Sequence, residues 1–135
     1  MCIRDSSDTV FYDESRSILL AADHLIKHIS SNPLLARPLG AEPDYTGPRP
    51  QALVTYIASL AQTRAMELSL VLPGHGPPIV DHAALIDERM RLHRRRAEKI
   101  RRLVEAQPRT AHEIAHELWG NAVSYTHLRA HETDS

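Results

Sequence analysis

Cysteine, long apolar runs and an excess of one charge are what this sequence lacks. Cys2 is the only cysteine, so the chain cannot form an internal disulfide. No stretch of about 18 apolar residues occurs, and a membrane-spanning helix is therefore not expected. The 16 basic and 17 acidic side chains nearly cancel, so the overall charge indicates no partner. The working expectation for location is the cytoplasm.

One stretch, residues 68–78, carries the strongest chemical pattern. It reads LSLVLPGHGPP: an aliphatic run, then Pro73-Gly74, then His75 between two glycines and a double proline. The run predicts a strand that delivers one imidazole at its end. Glycines let the backbone pass close to whatever the imidazole binds, and prolines fix the loop, as in a preorganised metal site. The alternative is a tight turn with an incidental histidine.

A second apolar run, residues 18–26, carries Asp23 and His24 at its C-terminal end. Buried strands of α/β proteins present their chemistry at that end. A carboxylate between Ala22 and Leu25 is expected to be poorly solvated, and would need a cation or several hydrogen bonds.

Together, these two stretches resemble the last two metal-ligand motifs of the metallo-β-lactamase-fold hydrolases. The resemblance implies that Asp23 bridges two metal ions and that His75 ligates one of them. It implies two divalent ions, with zinc expected and iron or manganese compatible with the ligands. The implied reaction is hydrolysis of an ester, thioester, lactone or related bond of a small-molecule substrate by metal-activated water. Ala22 stands where family members often have glycine.

The resemblance covers only the C-terminal part of that family's α/β fold, a four-layer αβ/βα arrangement. The family's His-x-His-x-Asp-His motif and its next histidine ligand precede this region, and neither occurs in the sequence. We therefore expect residues 7–88 to be the C-terminal part of such a domain. We also expect the chain to be a fragment that is inactive on its own, with the full-length parent as the enzyme.

The two ends of the chain can be written as one DNA string and its reverse complement. Residues 1–6 can be encoded by ATGTGTATAAGAGACAG, whose reverse complement reads Val-Ser-Tyr-Thr-His, the residues at positions 123–127. The string resembles a transposon adapter used in sequencing libraries. We therefore expect residues 1–6 and 123–135 to be adapter-derived and leave them out of the fold predictions.

The first natural segment predicts a hairpin, with strands at residues 9–12 and 17–22 around a polar turn. After it, His24 and His28 are candidate substrate-pocket residues, although local packing is an equal alternative for His24. Residues 30–50 form a long proline-rich loop, on which Tyr45 is a third candidate for substrate contact. The alternative for this loop is a surface excursion without function.

A helix is predicted after Pro50, because Leu53, Tyr56, Ile57 and Leu60 mark one apolar face. This helix should cover the sheet. With the strand at residues 68–72, the order becomes strand, strand, helix, strand, which indicates one side of a layered α/β fold.

The next predicted helix begins after Asp81, a plausible N-cap, and runs to Val104. Between Arg89 and Arg102 it carries eight basic residues and one acid, Glu98. Such a run can bind phosphates, so the alternative function is a nucleic-acid-binding protein or nuclease that uses residues 89–102. A solvated helix face explains the same charges.

The last predicted helix opens with a capping box, Thr110 to Glu113. Residues 112–116 also match the His-Glu-x-x-His pattern of zinc proteases, but the cap already explains Glu113, and no third ligand follows. Residues 101–120 resemble the beginning of the small winged-helix-like domain that follows the long helix in some metallo-β-lactamase-fold hydrolases. We therefore expect residues 89–122 to hold the basic helix and the truncated start of that segment.

Overall fold

The computed structural model describes residues 2–4, 9–30, 46–47 and 50–120. The helices and strands follow the chain in the order β1 (Cys2–Arg4), β2 (Thr9–Asp13), β3 (Ile18–Ala22), α1 (Ala52–Ala65), β4 (Leu70–Pro73), α2 (His82–Ala106) and α3 (Ala111–Trp119). The predicted hairpin, helices and later strand are confirmed, with bounds shifted by one or two residues. Strand β1 was not predicted, because it lies in the segment set aside as adapter-derived.

The four strands form one sheet in the order β1-β2-β3-β4. The pairs β1–β2 and β2–β3 are antiparallel, as expected for hairpin neighbours. Strands β3 and β4 are parallel, and α1 lies in the connection between them. Parallel strands need such a crossover, because the chain must return to the starting edge of the sheet. As a result, β3 and β4 end at the same edge.

One hydrophobic core joins the sheet to the helices. Leu19 and Val71 are fully buried on the sheet, and they cluster with Leu60 of α1 and Ile86 of α2. The predicted inward face of α1 is only partly correct, because Tyr56 and Leu60 are buried but Leu53 is 47% exposed. Ser59 and Thr63 complete the buried face instead. The buried face of α1 therefore begins at Tyr56, after the first turn of the helix.

The other face of the sheet is apolar but more exposed. Phe11 pairs with Leu20, which pairs with Leu72, so the three side chains form a row across β2, β3 and β4. Phe11 is 57% and Leu20 47% exposed. The described residues therefore form a sheet covered by helices on one face, a mixed α/β arrangement. None of the described helices is both long and apolar enough to cross a membrane.

The chain divides into two compact units, Met1–Arg91 and Leu92–Ser135. The core lies in the first unit. In the second unit, the described residues are the rest of α2, a break at Pro108 and helix α3. A domain boundary at residues 88–89 and the winged-helix-like assignment of residues 89–122 stay predictions.

The predicted caps of α2 and α3 are both confirmed. The Ala84 amide donates a hydrogen bond to Oδ1 of Asp81 at 2.9 Å. At α3, the Glu113 amide donates to the Thr110 hydroxyl at 3.3 Å, while the Thr110 amide donates to the Glu113 carboxylate at 2.7 Å. Both helices therefore begin where the sequence predicts.

Candidate metal centre

Asp23 and His75 lie together at the shared edge of the parallel strands. Asp23 follows the last residue of β3, and His75 lies two residues after the end of β4. Oδ1 of Asp23 is 3.6 Å from Nε2 of His75. Fifty-two positions apart in the sequence, the two side chains meet because parallel strands end at one edge.

The loop that carries His75 is closed by backbone hydrogen bonds. The Val71 amide donates to the Ile79 carbonyl and the Ile79 amide donates to the Val71 carbonyl, both at 2.9 Å. Between them, Gly76 adopts a φ of 81°, a left-handed conformation that glycine adopts without steric cost. The loop therefore projects His75 from a short backbone arch.

Gly74 allows the two strand ends to approach each other. Its amide donates to the Ala22 carbonyl at 2.7 Å. A Cβ at Gly74 would lie 3.0 Å from Oδ1 of Asp23 and 3.2 Å from the Ala22 carbonyl carbon. Gly74 therefore lets the backbone after β4 pass close to the Asp23 turn. Ala22 itself has a φ of 45°, a conformation that glycine would adopt more readily.

The chemistry and spacing of the Asp23–His75 pair fit a divalent metal ion. A carboxylate oxygen and an imidazole nitrogen are both zinc ligands, and two ligands of one tetrahedral zinc lie about 3.4 Å apart. The observed 3.6 Å is close to that value and too long for a direct hydrogen bond. Among the described residues, no cluster of three or more His, Cys, Asp or Glu side chains is placed to hold a metal. Asp23 and His75 therefore fit as two of the ligands of a metal centre, and not as a complete metal site.

The pair is more exposed than the sequence predicts. The Asp23 side chain is 57% and the His75 side chain 76% exposed. The expectation that Asp23 is poorly solvated is therefore wrong for the described structure, since the Asp23 turn lies beyond the last sheet pair, where the strands no longer cover it.

His24, by contrast, is buried and contacts α1. It is 4% exposed, and its Nε2 lies 3.0 Å from the Thr63 hydroxyl. The same hydroxyl lies 3.1 Å from the Ser59 carbonyl and donates to it, so Thr63 links the His24 ring to the backbone of α1. Tyr56 donates to the His24 carbonyl at 3.3 Å, and the two rings meet edge to face. These contacts correspond to the packing alternative, and they fix the turn that carries Asp23.

The remaining pocket candidates are less defined. His28 is exposed, five residues after Asp23. Tyr45 lies outside the described residues, so its role stays a prediction. The contacts of His24 with Tyr56 and Thr63 of α1 were missed by the sequence analysis, which placed Tyr56 only on the apolar face of the helix. The signal for them was available, because Tyr56, Ser59 and Thr63 recur at helical spacing beside Leu60.

The glutamate of the His-Glu-x-x-His segment forms the N-terminal cap of α3. The Glu113 carboxylate accepts from the Thr110 amide and hydroxyl, and the amide bond is the main reason that the pKa of Glu113 lies below its usual value. A glutamate held in a cap is not positioned to activate water. The structure therefore favours the helix-capping interpretation.

Comparisons with known proteins identify related chains. No family model matches the sequence. The chain is 34% identical over 113 residues to the probable metallo-hydrolase YqjP of Bacillus subtilis (strain 168), an alignment that covers 84% of this chain. The chain spans about a third of that relative's length, 34%.

Two crystal structures are similar in fold. The metallo-β-lactamase family protein TTHA1429 of Thermus thermophilus superposes with a TM-score of 0.65 and 27% identity, over 82% of this chain and 34% of that one. A β-lactamase domain protein of Burkholderia ambifaria superposes with a TM-score of 0.55 and 26% identity, over 69% of this chain and 27% of that one. In both cases this chain corresponds to about a third or less of the longer protein. With its mixed sheet, its helix-covered core and these relatives, the chain is a metallo-β-lactamase-fold protein.

Proposed function

We propose that this chain contributes two ligands, Asp23 and His75, to the metal centre of a metal-dependent hydrolase. The observation that carries the proposal is the 3.6 Å separation of Oδ1 of Asp23 and Nε2 of His75 at one sheet edge. The description of one relative as a probable metallo-hydrolase and of another as a metallo-β-lactamase family protein supports it.

In this proposal Asp23 and His75 would hold divalent ions, zinc by preference, with Asp23 as a ligand shared by two ions and His75 as a ligand of one. A bound divalent ion lowers the pKa of a coordinated water and polarises the substrate oxygen. Gly74 keeps the two strand ends close enough for both side chains to serve one centre. The His24 contacts with Thr63 and Tyr56 hold the Asp23 turn against α1, which reduces the reorganisation needed when metal binds.

The proposed substrates are small molecules with an ester, thioester, lactone or related bond. His28 and Tyr45 are the proposed pocket residues. We further propose that the chain alone is inactive, because two ligands leave most coordination positions of a dinuclear centre without protein donors.

Metal binding at the strand ends tests the proposal directly. Manganese titrated into ¹⁵N-labelled protein should broaden the amide signals of residues 22–24 and 74–76 first. Zinc affinity measured by calorimetry should fall more than about tenfold in Asp23→Asn and His75→Ala, as expected when a ligand is removed. His28→Ala, which removes an exposed histidine five residues from Asp23, is the matched control and should retain the zinc affinity.

Metal binding at other histidines of the chain would contradict the proposal. If broadening begins at His112 and His116, or if His75→Ala leaves the zinc affinity unchanged, the metal binds elsewhere and the proposed centre is rejected. A hydrolase assay on p-nitrophenyl acetate and on a lactone, with zinc present, should show no turnover above buffer. Turnover that His75→Ala abolishes would overturn the proposal that the chain alone is inactive.

A further inference from the structure

Four cations form one face of the second unit's part of α2. Arg94, Arg95, Lys99 and Arg102 are all exposed, and at 3.6 residues per turn they fall within an arc of about 140°. They span about 12 Å along the helix axis. On the opposite side of the helix, His93 and Ile100 are partly buried. We call these four residues the basic face.

The acids nearby neutralise the basic face only in part, because Glu98 lies within the same arc and pairs with Arg102. Glu98 accepts hydrogen bonds from Arg101 and from Nε of Arg102, each at 2.9 Å, and Arg101 also pairs with Glu105. The bonds from Arg101 and Arg102 lower the pKa of Glu98 to about 2. At neutral pH Glu98 is therefore ionised, and its negative charge is paired with these two arginines. Among the described residues, the side chains of Arg94, Arg95 and Lys99 form no hydrogen bond or ion pair.

The charge is local rather than a property of the whole chain. Residues 92–120 contain seven basic and four acidic side chains, whereas the whole chain has a formal net charge of −1. A polyanion would therefore be attracted to this face and not to the molecule at large. Three of the four cations are arginines, whose planar guanidinium groups bind phosphate oxygens in pairs.

The surroundings of the face favour a duplex over a single strand. Single-strand binders add aromatic side chains on which bases stack. Between residues 92 and 120, Trp119 is the sole Trp, Tyr or Phe, and its ring lies 5.7 Å from the Arg96 guanidinium carbon. A duplex needs no stacking platform, and over about 12 Å of its axis it presents about seven phosphates.

We propose that the basic face of α2 binds the phosphate backbone of a nucleic-acid duplex, without sequence preference. The inference goes beyond the metal centre and is independent of Asp23 and His75. Each neutralised phosphate contributes about −0.9 to the slope of log affinity against log salt concentration on duplex DNA. Four contacts give a slope of about −3.6, which is about a hundredfold loss of affinity between 50 and 200 mM salt.

The test is fluorescence anisotropy of a labelled 16-base-pair DNA duplex of mixed sequence, from 50 to 200 mM KCl. The double variant Arg94→Gln/Arg95→Gln should reduce the slope to about −1.8, and the further changes Lys99→Gln and Arg102→Gln should bring it close to zero. Circular dichroism of each variant checks that α2 is retained, which these exposed substitutions should not disturb. Arg16→Gln, a single charge removed at an exposed turn of the first unit, should leave the slope unchanged.

Each alternative result has a defined meaning. No binding at 50 mM KCl, or a slope that the double variant does not change, would overturn the proposal. Tighter binding to the isolated single strand, or to phosphatidylserine vesicles, would also overturn it in favour of that ligand. Asp23→Asn should bind the duplex as the unsubstituted chain does, so failure of the metal centre and failure of the basic face remain distinguishable.

Discussion

The two units of this chain are stabilised in different ways. Nine hydrophobic residues are buried in the part of the chain that the structure describes, among them Leu19, Leu60 and Ile86, and all nine lie in the first unit. Among the described residues of the second unit, none is buried. The capping box of α3, the Glu98 ion pairs and the contact between Arg96 and Trp119 hold that unit instead. The first unit thus depends on contacts between distant residues, and the second on contacts within a few turns of helix.

This difference matches the two chemistries proposed for them. A metal centre needs two ligands from different strands held within a few tenths of an ångström, which only a packed sheet edge provides. A phosphate-binding face needs only regularly spaced cations on a helix. Core substitutions should therefore lower the stability of the first unit strongly, whereas changes in helix capping should lower the stability of the second unit only weakly.

The largest expected effect comes from the core. Leu60→Ala should reduce the free energy of unfolding of the first unit by about 3 kcal/mol, because it leaves a cavity where a fully buried side chain packed. Leu53→Ala makes the same change on the same helix at a 47% exposed position and should cost less than about 1 kcal/mol. Urea unfolding followed by circular dichroism measures both. Equal losses would show that α1 does not pack on the sheet as described.

A smaller effect is expected at the strand end beside the candidate centre. Ala22 is exposed and has a φ of 45°, so Ala22→Gly removes a steric cost while losing little packing. The stability should rise by up to about 1 kcal/mol after the entropy cost of glycine is subtracted. Ala61→Gly, at an exposed position inside α1, should instead lower the stability by about 1 kcal/mol. A loss of stability in both variants would contradict the strained conformation of Ala22.

The smallest effect is an acid-induced loosening of α3. The hydrogen bond from the Thr110 amide, with help from the Thr110 hydroxyl, holds the pKa of Glu113 below 4.5. A depressed folded-state pKa means that the stabilisation is present above the unfolded value of 4.5 and is lost as the pH falls through the folded value. The amide shifts of Thr110 and Ile114 should therefore move toward coil values in acid.

Glu113→Gln provides the matched control, since glutamine can serve in a capping box and does not titrate in this range. Its amide shifts at Thr110 and Ile114 should stay constant over the same acid range. If they move as they do in the unsubstituted chain, another group causes the change, and the cap is not the pH-sensitive contact.

Much of the local structure follows from short sequence patterns. Short apolar runs around a polar turn predict β2 and β3, and the Asp81 and Thr110 caps predict where α2 and α3 begin. Each of these depends on neighbours within four residues, so the sequence alone contains the necessary information. The charge run of α2 is likewise visible in the sequence, although which arginines pair with Glu98 is not.

Some predictions failed because they required knowledge of distant contacts. Asp23 and His24 have similar neighbours in the sequence, yet Asp23 is 57% exposed while His24 is 4% exposed. The reason is that the turn after β3 directs His24 onto Thr63 of α1 and leaves Asp23 at the open sheet edge. The prediction that Leu53 faces the core failed for the same reason, because the sequence does not show where α1 meets the sheet.

The sequence by itself determined the strands and helices other than β1, the helix caps, the residue types of the candidate metal ligands and the positive charge of α2. The tertiary structure decided that β3 and β4 pair in parallel, that Gly74 lies against Asp23, and that Asp23 and His75 lie 3.6 Å apart. Local patterns are set by the propensities of neighbouring residues. The distance between side chains 52 positions apart is set by strand pairing and core packing, which no short stretch of sequence contains.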